Sequence, residues 1–177
     1  MASNTLKLIA IVAISLCGKA VFSHENTDHG KPSTVIKAQT DWGIAGDAKA
    51  VTRTVTITMA DTMRFTPDRI DVRQGETLQI AVKNDGKMLH EFVIGAKKDL
   101  DEHAALMVKF PAMEHDEPYM THVPPGQTGR IVWTFNRTGE FDFACLIAGH
   151  YSAGMVGKIT VRTASYEKGP SRTEHKH

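Results

Sequence analysis

Four residues able to bind a soft metal stand out in the chain: His90, and far downstream Cys145, His150 and Met155 within one short run. One thiolate, two imidazoles and a thioether make up the ligand set of a mononuclear blue-type copper site, where a His/His/Cys plane is completed by a long axial Met. The spacing Cys-x4-His-x4-Met, with Gly149 and Gly154 inside it, describes a loop short enough to fold three ligands around one ion. Thiolate and thioether suit Cu(I), while imidazole also accepts Cu(II), so a single site of this kind can hold both oxidation states. A structural zinc site would instead show paired Cys-x2-Cys or Cys/His knuckles, and the sequence contains none.

A second group of donors lies between residues 97 and 126. His103, Met107, Met113, His115, Met120 and His122 are interleaved with Glu114, Asp116 and Glu117, and such thioethers and imidazoles on one segment could capture a second copper. The competing reading is packing, because methionines fill irregular gaps in cores and Met107 falls on the apolar side of an expected helix. His24 and His29 are weaker candidates. A chain beginning at His24 would offer its α-amine and imidazole together to Cu(II), whereas histidines in polar tails, such as His175 and His177, are ordinarily just solvated.

The elements that must position these residues read mostly as strands. Alternating or apolar runs at 51–59, 69–72, 77–82, 89–94, 130–135, 139–144 and 156–161 are bounded by turn residues such as Gln74-Gly75 and Asn84-Asp85-Gly86. Several short strands with this punctuation predict an all-β sandwich. The exception is a helix over 99–109, with acids early, Lys109 late and Pro111 beyond its end, followed by an irregular loop over 118–126. The insertion is thus short, helical and Met/His-rich. Residues 24–50 read as a polar arm and 164–177 as a polar tail.

The first residues bear on the compartment. Lys7 precedes an apolar stretch over 8–16, and Val21-Phe22-Ser23 offers a cleavage site, so 1–23 reads as a secretory signal peptide. The stretch is too short to span a bilayer comfortably. Leu16 stands where a small residue is expected before a lipidated cysteine, which disfavours attachment at Cys17. Cleavage after Ser23 would leave Cys145 as the sole cysteine, with no intramolecular disulfide possible. A lone thiol exported to an oxidising compartment invites oxidation unless something occupies it, and copper would. The same cleavage removes Lys7 and Lys19 and no acid, taking the formal charge of +1 down by two. That balance argues against nucleic-acid and anionic-membrane partners.

Residues 51–163 resemble the cupredoxins, small copper proteins with a Greek-key β-sandwich. The ligand-loop spacing is similar to that of rusticyanin and the auracyanins, and the run Lys87-Met88-Leu89-His90-Glu91-Phe92-Val93-Ile94 looks most like periplasmic cupredoxins associated with bacterial copper tolerance. The resemblance implies that His90, Cys145, His150 and Met155 are the copper ligands, with His150 the electron exit and His90 the more buried ligand. In most electron-carrying members the upstream His is followed by Asn, whose side chain ties the ligand loop to the neighbouring strand. Glu91 stands there instead, and a carboxylate alters the hydrogen bonding and charge that tune a metal.

Two functions follow as expectations. One is a periplasmic type 1 copper protein that binds and handles copper in tolerance, with one-electron Cu(I)/Cu(II) redox and an extra copper site. The other is a soluble periplasmic electron carrier serving a respiratory chain. Copper ions are the expected partner in both, with a redox or copper-trafficking protein beside them. An enzyme is not expected: multicopper oxidases and nitrite reductases need paired His motifs, and the one His-x-His pair is in the tail, at His175 and His177. A binuclear CuA-type centre needs a second loop cysteine, where Ile147, Ala148 and Gly149 stand.

Overall fold

Alternation along the strands decides the architecture. The computed structural model describes residues 37–111 and 115–163. The expected signal peptide, the first part of the polar arm with His24 and His29, Met113, and the tail lie outside the described residues. Among those described, ten strands form two sheets: β1 (Ile44–Ala45), β2 (Arg53–Ala60), β3 (Arg64–Thr66), β4 (Arg69–Arg73), β5 (Glu76–Asn84), β6 (His90–Gly95), β7 (Met120–Val123), β8 (Thr128–Phe135), β9 (Gly139–Ala144) and β10 (Val156–Arg162). One sheet runs β1-β8-β5-β2-β3 and the other β4-β10-β9-β6-β7. The pairs β2/β5 and β4/β10 are parallel and the rest antiparallel, so the chain changes sheets repeatedly, as a Greek-key sandwich does.

The inner faces supply the core. Ile57, Met59, Leu78, Ile80, Val82, Trp133 and Phe135 from one sheet meet Phe92, Ile94, Phe143, Ile159 and Val161 from the other. Phe92 and Phe143 stack at 5.0 Å between centroids, and Phe65 meets both edge-on at 5.9 and 5.0 Å. Phe143 has room because its cross-strand neighbour is Gly157. A methyl group on Gly157 would collide with the Phe143 ring. Gly157→Ala should therefore cost about 1–3 kcal/mol through overpacking, read as a lower denaturant midpoint at unchanged slope. A loss under about 0.5 kcal/mol, the scale of an inert surface change, would show that the ring yields freely.

Strand β6 is buried along its whole length, so it has packing on both faces. Successive side chains of a strand point to opposite sides. His90, Phe92 and Ile94 face the sandwich core, whereas Val93 joins a second apolar cluster with Leu100, Met107, Met120, Ala144 and Leu146. Helix α1 (Lys97–Lys109) contributes Leu100 and Met107 to that cluster and thereby covers the outer face. It starts two residues earlier than the acid at 99 suggests, with Lys97 and Lys98 paired to Asp101 and Glu102 one turn on.

Two segments differ from expectation. The loop over 118–126 contains strand β7, whose Met120 and Val123 are buried and which pairs with β6; edge-strand pairing supplies backbone partners that the short, polar Thr121-His122 sequence does not advertise. The polar arm is built into the fold from residue 40 onward. Strand β1 pairs with β8, Trp42 is buried, and its carbonyl accepts a hydrogen bond from Trp133 Nε1 at 3.1 Å. One aromatic residue in a polar stretch gives no periodicity, yet burying it contributes heavily.

Candidate metal centre

The core face of β6 brings His90 to the end of β9, where Cys145 follows the last strand residue. Both are fully buried. Cys145 Sγ lies 4.0 Å from His90 Nδ1 and 3.2 Å from His150 Nδ1, and the three donor atoms all fall within 4.8 Å of one another. Two donors each about 2.0–2.3 Å from one ion stand about 3–4 Å apart, so the spacing fits a shared metal. The loop between Cys145 and Met155 is closed by its own backbone. His150 N–H donates to Ile147 O, Met155 N–H to His150 O, and Cys145 N–H to Met155 O, at 2.9, 3.1 and 3.1 Å. Gly149 and Gly154 make that path possible, with φ of +91° and +90°, a region other residues enter at a cost. Met155 is fully buried in the same cluster as Cys145. His150 remains partly exposed.

Electrostatics prepare the donors. Burial pushes the Cys145 thiol up to about 12, against the opposing pull of the Glu91 and Ile147 backbone N–H groups. The thiol keeps its proton at neutral pH, and an entering metal must displace it, so binding strengthens as pH rises. Burial, with His90 adding to it, pushes the His150 imidazole down, favouring the neutral form that ligates. His90 Nε2 faces Asp61 Oδ1 at 3.1 Å. The Lys87 backbone N–H, above all, holds the Asp61 carboxyl below its usual range, and Met88 N–H and His90 add to it.

The buried thiolate-imidazole set sits in a sandwich whose residues 50–162 match the copper binding proteins of the plastocyanin/azurin family. The chain is a cupredoxin. The copper-resistant cuproprotein CopI of Rubrivivax gelatinosus is 44% identical over 155 residues, covering 83% of this cupredoxin and 94% of its own length. The copper-resistant cuproprotein CopI of Pseudomonas aeruginosa is 32% identical over 150 residues, covering 68% and 82%. Among solved structures, a dithionite-reduced auracyanin of Roseiflexus castenholzii superposes with a TM-score of 0.53 at 25% identity, covering 63% of this cupredoxin and 98% of that protein. Copper is thus the metal of the family, and a soft thiolate joined to two imidazoles suits it on chemical grounds.

The outer face of β6 carries the residue by which this cupredoxin departs from the Asn pattern. Glu91 is fully buried. Its backbone N–H donates to Cys145 Sγ at 3.3 Å, and its Oε2 accepts from Leu146 N–H at 3.1 Å, so it still ties the ligand loop to the neighbouring strand. Its Oε1 lies 3.2 Å from His115 Nε2 and 3.1 Å from His122 Nε2. Burial pushes the Glu91 carboxyl up, opposed by His122 and His115. Oε1 has no well-aligned hydrogen bond in spite of these short approaches.

Of the second donor group, the cupredoxin fold gathers the imidazoles. His115 lies 4.5 Å from His103 and 5.5 Å from His122, ring to ring, and burial with its two neighbours pushes His103 down. Met107 and Met120 pack in the apolar cluster beneath α1. The partner that residue types alone missed is Glu91. Its signal is the β6/β7 register, which sets Glu91 directly opposite His122, where side chains share a face.

Proposed function

We propose that this cupredoxin handles copper in the periplasm as part of copper tolerance. It would hold one redox-active copper on His90, Cys145, His150 and Met155, and a second on Glu91, His115 and His122 with His103 beside them. The observation that carries this reading is the buried Glu91 Oε1, within 3.2 Å of two imidazole nitrogens and without an aligned hydrogen bond. A buried carboxylate oxygen left in that state is costly, and a shared cation would offset the cost. The 44% identity to a copper-resistant cuproprotein supports the tolerance role. The signal-like residues 1–23 support export.

Bound copper supplies one-electron Cu(I)/Cu(II) exchange. The chain contributes an enclosed site: His90 and Cys145 are buried, the loop is tied by three backbone hydrogen bonds, and only His150 reaches the surface. That exposure makes His150 the route for electrons. Binding and electron relay, rather than substrate turnover, is the role that these parts serve. Among the described residues no helix is long and apolar enough to cross a membrane.

A respiratory electron carrier is the competing reading, and it needs one copper only. Titrating the purified protein with Cu(I) and with Cu(II), while following visible absorption and total bound metal together, separates them. We expect one equivalent to saturate the visible band and a further equivalent to bind without increasing it. Binding that stops at one equivalent in both oxidation states would refute the second site and favour the carrier.

A further inference from the structure

We propose that Asp61, which belongs to none of the copper-binding motifs of the sequence, is a positioning residue for His90 that fixes which nitrogen faces the metal and lowers the reduction potential of the bound copper. The inference rests on the assignment of His90 as a ligand. Asp61 lies in the turn between β2 and β3, and its Oδ1 stands 3.1 Å from His90 Nε2. His90 Nδ1 is the nitrogen that faces Cys145 and His150. A carboxylate accepting the Nε2–H bond therefore leaves Nδ1 as the lone-pair nitrogen turned to the metal.

The carboxylate is held, rather than incidentally close. Its Oδ2 accepts from Lys87 N–H at 2.8 Å and its Oδ1 from Met88 N–H at 3.3 Å. Behind it, Asp85 N–H donates to Met59 O at 2.9 Å, pinning the same loop to the end of β2. Residue 86 is glycine, and a side chain there would collide with Asp61 Oδ1. Four consecutive positions of one loop, Asp85 to Met88, thus converge on holding the Asp61 charge against the far edge of a buried imidazole. The other carboxylate near the centre, Glu91, turns to His115 and His122 instead.

A negative charge on the far nitrogen makes the imidazole a stronger donor. Stronger donation favours the more highly charged Cu(II) over Cu(I), and the potential falls. Partners of this kind change metal affinity by about 10–100-fold. The Asp61 side chain is 35% exposed, which weakens its field, so the lower end applies.

Asp61→Asn tests this, because the amide oxygen can still accept the His90 hydrogen bond while the charge is gone. Cu(II) and Cu(I) affinities are measured separately by competition with chelators of each ion, alongside the midpoint potential. Nitrogen chemical shifts of His90 in the copper-free protein report which nitrogen carries the proton. We expect Cu(II) affinity to fall about tenfold with Cu(I) affinity nearly unchanged, raising the potential by about 59 mV, the one-electron equivalent of a tenfold ratio. Asp61→Glu, which restores the charge, should bring the potential back toward that of the parent protein; Asp61→Ser, which also removes the charge, serves as the test if the Asn variant folds poorly. An unchanged potential, or equal weakening of both oxidation states, would overturn the proposal. So would a copper-free parent protein with its His90 proton on Nδ1. A failure of the ligand assignment itself reads differently, as a His90→Gln variant that keeps the full visible band.

Discussion

Cys145→Ser is expected to abolish the intense visible absorption of the copper-loaded protein. The band requires a soft thiolate bound to Cu(II), and Cys145 is the only cysteine among the described residues. Its sulfur lies within 4.0 Å of both His90 and His150 ring nitrogens, so no other group can replace it there. Serine is close in size and leaves no large cavity. Burying its hydroxyl where Glu91 N–H still donates costs about 1–3 kcal/mol, and the copper-free variant should stay folded. Retention of secondary structure by circular dichroism, with the band gone, is the expected pair of results. A variant that keeps the band at full intensity would refute the thiolate assignment.

The second large effect belongs to Glu91, and two substitutions divide its roles. Glu91→Gln keeps an oxygen for Leu146 N–H but removes the charge facing His115 and His122. Total copper should fall by one equivalent while the visible band survives, slightly shifted because the N–H to Cys145 Sγ remains. Glu91→Ala also leaves the Leu146 N–H buried without its acceptor, which should cost about 1–3 kcal/mol of stability beyond the Gln variant. Metal analysis and denaturant unfolding read the two effects independently. If Glu91→Gln binds as much copper as the parent protein, the carboxylate does not hold the second ion.

The sequence makes some of this legible and hides the rest for physical reasons. Cys145, His150 and Met155 announce themselves because one loop carries them all, and their glycines occupy backbone conformations that only a tight loop requires. The strands with clear alternation, such as β2, β5 and β8, lie within a few residues of their expected bounds. Strand β7 is hidden because it is short, lies between Pro118 and Pro124, and owes its form to pairing with β6. Without it, His122 looks like a loop residue far from Glu91, although the two are cross-strand neighbours. Asp61 is equally silent: a turn aspartate has no motif, and its contact with His90 depends on how two distant segments meet.

The insertion leaves and re-enters the sandwich between two strands that are paired, Val93 standing opposite Met120. Its ends are therefore clamped by the sheet, whatever happens between them. Closing a longer loop on such a clamp is inexpensive, about 0.6 kcal/mol for each doubling of length. The cost of a change in length then falls on the packing of Leu100 and Met107 over Val93, Ala144 and Leu146, rather than on the strand pairing. On the proposed reading, the second copper would take Glu91 and His122 from the clamped strands and His115 from the insertion, so anchoring and capture are divided between a fixed part and a variable one.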